Sequence, residues 1–153
     1  MKKMLTFLSG TFIALLIAIS LQAQNPHLNG MPKVTQVGDY YLVEFQAAGL
    51  GGGNAFHFEA SMNITQQQYC TSNGKSRQRN AAGNPCTAAG TGSSDYGSAK
   101  NGNLKGSIMV PIDLCQEPVD CPGKQQAMII STWSDLVITV TMPDASVVTL
   151  YPF

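Results

Sequence analysis

The chain has 153 residues, a formal net charge of zero, four cysteines and only 12% charged residues. That length suits one domain of about 100–200 residues. The near-neutral balance excludes the broad positive field of a nucleic-acid binder, and the low charge excludes the composition of a disordered chain.

Lys2 and Lys3 precede an apolar run at 12–19 (FIALLIAI), which is followed by Ser20, Leu21, Gln22 and Ala23. A basic start, a short apolar run and a small residue make a secretory signal peptide. Residues 1–23 are therefore expected to be removed, which leaves 130 of the 153 residues. Losing Lys2 and Lys3 leaves seven Lys+Arg against nine Asp+Glu, a mature charge of −2. The rival reading is an uncleaved anchor, and Thr6, Ser9, Gly10 and Thr11 weaken it. The expectation is a bacterial protein that is secreted, periplasmic or held at the cell surface. Cys70, Cys86, Cys115 and Cys121 all follow the signal, and an even count in an exported chain reads as two disulfides. A zinc site is the poorer reading, because no cysteine pair has knuckle spacing and His27 and His57 lie far upstream.

Residues 24–38 read as an N-terminal extension and 39–153 as the folded domain. Segment 40–47 alternates, with Tyr41, Val43, Phe45 and Ala47 on one face. Segment 54–65 alternates more cleanly, with Phe56, Phe58, Ala60, Met62 and Ile64 opposite His57, Glu59, Ser61, Asn63 and Thr65. Period-two patterning predicts strands with one face in a core. The glycine-rich run 49–54 between them predicts a hairpin turn. Segment 66–103 contains no Val, Ile, Leu, Met, Phe or Trp, so it predicts a long polar loop. Strand patterning returns at 104–112, with Leu104, Gly106, Ile108, Val110 and Ile112 on one face. A second loop, 113–123, carries Cys115, Pro118, Cys121 and Pro122. Segments 127–132 and 136–142 predict one strand, or two joined by a bulge near Ser134 and Asp135, and 146–151 predicts the last. Short strands between Gly, Pro and Asn turns point to an all-β fold, a single antiparallel sandwich with Greek-key connections.

Gly49-Leu50-Gly51, Cys70-Thr71-Ser72-Asn73-Gly74, Asn101-Gly102-Asn103, Cys121-Pro122 and the Leu/Val/Ile/Thr-rich run 135–140 follow one another along the chain. In this the sequence resembles a functionally uncharacterised group of small exported bacterial proteins. The resemblance implies an immunoglobulin-like sandwich and no particular activity. It also implies that Cys70 bonds Cys121, which leaves Cys86 to Cys115. Closure of short loops favours instead Cys70 with Cys86 and Cys115 with Cys121, and spacing alone does not choose between them.

Few residues suggest chemistry. His57 shares a predicted face with Glu59, and a hairpin would set it near Glu44; such a pair could act as acid and base. No activated serine or cysteine accompanies it, and a solvated face is the simpler reading. Asp113, Glu117 and Asp120 could offer oxygen ligands to calcium, but their spacing fits no EF-hand or repeat motif and a solvated turn is the simpler reading. Lys75, Arg77 and Arg79 could meet an anionic glycan or lipopolysaccharide, although a solubilising loop is the simpler reading, and no aromatic is interleaved for nucleic-acid stacking. Trp133, the single tryptophan, reads as a core residue packed near a disulfide; a carbohydrate platform is the alternative and would need it exposed on a flat face.

The sequence thus describes an exported, non-catalytic binding or surface-structural module with no cofactor. Its partners are an extracellular ligand, a cell-surface component or a second copy of itself, and not nucleic acid. Two alternatives stand beside it. One is a filament subunit donating the alternating end Val147, Thr149, Tyr151 and Phe153. The other is a small secreted hydrolase working through His57 or a bound calcium.

Overall fold

The computed structural model describes residues 25–52, 55–72, 79–115, 117 and 119–152. The expected signal peptide 1–23 lies outside these. Eight strands run in chain order: β1 (His27–Leu28), β2 (Lys33–Val37), β3 (Tyr40–Ala48), β4 (Phe56–Ser72), β5 (Arg79–Tyr96), β6 (Leu104–Pro111), β7 (Gln125–Thr141) and β8 (Val147–Tyr151). They form two antiparallel four-stranded sheets. In the first, β3 pairs along 40–47 with β6. Because β6 occupies that whole edge, β2 (opposite 40–44) and β1 (opposite 47–48) share the other. The second sheet has the order β5-β4-β7-β8. The chain crosses between sheets after β3, β5 and β6, the connection pattern of an immunoglobulin-like Greek-key sandwich. Among the described residues no helix is long and apolar enough to cross a membrane.

The alternating residues fill the core as their period requires. Val43, Phe45 and Ala47 of β3 and Ile108 and Val110 of β6 face Phe58, Ala60, Ile138 and Val140 of the second sheet, all buried. Phe45 and Phe58 meet with ring centroids 4.8 Å apart, and Tyr96 packs edge-on against both. The Tyr96 hydroxyl donates to the Ser107 carbonyl at 2.8 Å and accepts from the Ser107 amide at 2.6 Å, tying β5 to β6 across the sandwich.

Four expectations are corrected. Residues 24–38 are no mere extension, since β1 and β2 lie within them and pair with β3. The 49–54 turn closes no hairpin: β3 and β4 belong to different sheets. Period-two patterning identifies a buried face but not the sheet that owns it, and here the two faces meet across the core. Third, the expected polar loop 66–103 is mostly strand, comprising the second half of β4 and all of β5. Register places Cys86, Ala88, Gly90, Gly92 and Ser94 on the inner face of β5, opposite buried β4 residues. That face is small rather than apolar, and the sheets close over it. A β carbon on Gly90 would lie 2.6 Å from Ile64 Cδ1 and 3.0 Å from Val110 Cγ1. Gly83 and Pro85 sit in a bulge where the register slips opposite Gln67, as such residues do in edge strands. Fourth, Trp133 is not core but 41% exposed. The bulge expected near Ser134 and Asp135 is present in β7, with Asp135 at φ +52°.

Candidate functional site

β4, β5 and β7 have 17, 18 and 17 residues, whereas β3 and β6 have 9 and 8. At about 3.3 Å per residue, the first sheet therefore covers only about half of the second. Beyond its reach the inner face of β4 turns polar: Gln66 and Gln68 continue the inward parity of Met62 and Ile64, and they are 1% and 0% exposed. The connection from β6 to β7 covers them. Gln66 Nε2 donates to the Asp113 carbonyl at 2.9 Å, and the Cys115 amide donates to Gln66 Oε1 at 3.2 Å. Gln68 repeats the arrangement, donating to the Glu117 carbonyl at 2.8 Å and accepting from the Val119 amide at 2.7 Å. Each side-chain amide thus stands in for a neighbouring strand, satisfying a carbonyl and the amide two residues on.

Disulfides fasten the same segment at both ends. Cys86, opposite Gln66 on β5, bonds Cys115 with Cα atoms 6.1 Å apart, and Cys70 on β4 bonds Cys121 at 5.6 Å. This is the pairing the resemblance implied, and it staples the segment to the sheet rather than closing two short loops.

One wall of a cleft of about 430 Å³ is made by this segment, through Asp113 and Leu114. The β2–β3 turn supplies a second wall through Gly38 and Asp39, and Ile129 and Ser131 on the inner face of β7 supply a third. Gln36 also lines it, as does the clamped Gln66. Register puts Ile129, Ser131 and Trp133 opposite the inward Gln68, Gln66 and Ile64, so all three share one face of β7. Trp133 is 41% exposed on that face.

A second cleft of about 430 Å³ lies at the other end of β4, lined by Phe56, His57, Tyr96, Thr141, Met142 and Pro143 among others. His57 Nδ1 lies 2.6 Å from Asp95 Oδ1, its cross-strand partner on β5. The expected Glu44 is elsewhere, on β3, where it pairs with Lys33 at 3.4 Å. Glu59 shares the outer face of β4 with His57 but stands in the next row, between Ser93 and Thr139. Among the described residues there is no free cysteine to join the dyad.

Lys75 and Arg77 lie outside the described residues, and Arg79 opens β5 opposite Thr71. Asp113, Glu117 and Asp120 are exposed, and the structure uses the backbone carbonyls of the first two rather than their carboxylates. Among the described residues no three His, Cys, Asp or Glu side chains group to hold a metal. Asp135 and Asp144, in the β7 bulge and the β7–β8 turn, both have carboxyls held below their ordinary range. The Asn63 amide and then the Ser134 hydroxyl do this at Asp135, and the Ser146 hydroxyl and then its amide at Asp144. The glutamine clamps escaped the sequence reading because a polar run offers no apolar period. Their signal was the parity running from Ile64 through 66 and 68 to Cys70. No family model, curated protein or solved structure matches this chain.

Proposed function

We propose that the protein is an exported, non-catalytic binding module that presents a preformed cleft to an extracellular ligand or cell-surface component. The carrying observation is that segment 113–121, whose Asp113 and Leu114 form one wall of the cleft, is fixed at six points, by two disulfides and four hydrogen bonds with buried glutamines. A wall fixed before the ligand arrives spares binding the entropy of ordering it. The disulfides favour an oxidising compartment, in keeping with the basic and apolar N-terminus. The filament alternative is less well supported. The C-terminal strand is already β8 of its own sheet, with Leu150 only 2% exposed in the core.

Light scattering on size-exclusion of protein secreted by its own cells, with intact mass taken with and without reductant, tests this reading. The expected species is a monomer four protons lighter than the fully reduced chain. Free thiols would remove the export argument, and a ladder of oligomers would promote the filament subunit.

A further inference from the structure

The cleft of the binding module has a chemistry that selects among ligands, and the following assignment rests on that functional reading. Trp133 is the one large aromatic on its face of β7 left open, at 41% exposure. Ser131, on the cleft wall, is its neighbour two residues along the same face, about 6.6 Å away by strand geometry. That interval is comparable to one sugar residue in an oligosaccharide. An indole offers a flat apolar plate with little entropy to lose, suited to the C–H face of a pyranose ring.

Trp133 stands next to the cleft rather than in its lining, and the polar groups of the lining are mostly acceptors. Asp39 and Asp113 bring two exposed carboxylates, with the Ser131 hydroxyl and the Gln36 amide between the walls. Carboxylates accept strong, charge-assisted hydrogen bonds from hydroxyl donors, which a sugar supplies in pairs. The described residues lining the cleft include no Lys, Arg or His. An anionic ligand would meet two like charges and no compensating cation, which disfavours acidic glycans and phosphorylated lipids. Gln66 takes no direct part, since both ends of its amide are committed to Asp113 and Cys115; it positions the wall.

We infer that this cleft binds a neutral oligosaccharide that is hydrogen-bonded by Asp39, Asp113 and Ser131 and extends past Ser131 to stack on the adjoining Trp133. Because Trp133 is the only tryptophan, its emission reports on this site alone. The disulfide-intact secreted protein would be titrated with cellohexaose, chitohexaose and mannohexaose, alongside an acidic galacturonic acid hexamer and hexalysine. A saturable emission change with at least one neutral probe is expected. By calorimetry, Trp133→Ala should weaken that probe about tenfold or more, and Asp39→Asn and Asp113→Asn each severalfold. Trp133→Phe should retain part of the affinity, which separates loss of the plate from loss of fold. Equal affinity in Trp133→Ala would overturn the site while leaving a binding module. Binding of only the acidic or the cationic hexamer would overturn the ligand class alone. A four-proton-light monomer that binds none of the five probes would overturn this inference and leave the monomeric module. An oligomeric ladder would strike the functional reading itself.

Discussion

Gly92 of β5 stands over the carbonyl oxygen of Met109 in β6 so closely that a β carbon would overlap that oxygen. The same β carbon would lie 2.9 Å from the Met109 carbonyl carbon and 3.1 Å from Ile108 Cγ2. The obstruction is backbone and has nowhere to move, so this pair sets how near the edges of the two sheets come. Gly92→Ala should therefore destabilise by about 3 kcal/mol, at the upper end of overpacking costs. Gly90→Ala meets only side-chain ends, of Ile64 and Val110, and should lose about 1–2 kcal/mol. Urea midpoints of the disulfide-intact variants measure both, and equal losses would mean the sheets separate more freely than this contact implies.

This contact also explains which parts of the fold the sequence could reveal. β3, the first half of β4, β6 and the end of β7 bury large apolar residues at every second position, and their period is plain. β5 turns Ala88, Gly90, Gly92 and Ser94 inward, which have the parity of a strand but neither bulk nor β propensity, so they read as loop. The second half of β4 was hidden differently, because Gln66 and Gln68 are buried by hydrogen bonding rather than by hydrophobicity. Trp133 was misplaced because its burial depends on how far the opposite sheet extends, which no local pattern states. The stapled cleft inherits the first two obscurities: its wall is held by Gln66 and by Cys86 of β5, residues that look like solvated loop.

Gln68→Ala leaves the Glu117 carbonyl and the Val119 amide without their side-chain partner. Two backbone groups beneath a stapled segment should cost about 1–3 kcal/mol. The more specific readout is hydrogen exchange. The Val119 amide should be protected in the parent chain and exchange at least tenfold faster in the variant, while core β3 amides stay unchanged. Equal protection of Val119 in both would show that the disulfides alone hold the segment.

Of the two crosslinks, Cys70–Cys121 spans 51 residues and Cys86–Cys115 spans 29. Chain entropy assigns about 4 kcal/mol to the longer and about 3.6 kcal/mol to the shorter. Paired serine substitutions should therefore destabilise to similar extents, and both should cost more than the loss of one glutamine clamp. Unreduced peptide mapping should recover Cys70 linked to Cys121; a Cys70–Cys86 peptide would contradict the staple.

Stability should depend on pH at both extremes. The depressed carboxyls of Asp135 and Asp144 contribute stability that is present above the ordinary value of 3.8 and is lost as pH falls through their lower folded values. Burial raises the Tyr41 phenol above its ordinary 10.0, so its contribution is intact below pH 10 and is lost as pH rises through the raised value. Thermal midpoints should decline below about pH 4 and above about pH 10. Tyr41→Phe should flatten the alkaline limb. The Tyr41 hydroxyl is buried without a hydrogen-bond partner among the described residues, so the variant should also be as stable as the parent at pH 7, or up to about 1 kcal/mol more so. A clear loss at pH 7 would show that the hydroxyl is satisfied.

His57 and Asp95 make the closest approach of any ionisable pair described, yet their side chains are 44% and 85% exposed. An exposed pair of this kind contributes about 0–1 kcal/mol, less at high salt. Asp95→Asn should accordingly shift stability by under about 1 kcal/mol, with the difference shrinking in 1 M salt. Its effect on the imidazole should be larger. In neutral His57 the carboxylate favours the tautomer protonated at Nδ1, leaving Nε2 as the free acceptor, and nitrogen-15 shifts should show that preference weaken in the variant. The dyad and the stapled cleft sit at opposite ends of β4, nine residues or about 30 Å apart between His57 and Gln66. His57→Ala should therefore leave binding in the Asp39–Asp113 cleft unchanged. A parallel loss of binding would place the two ends of β4 in one coupled site.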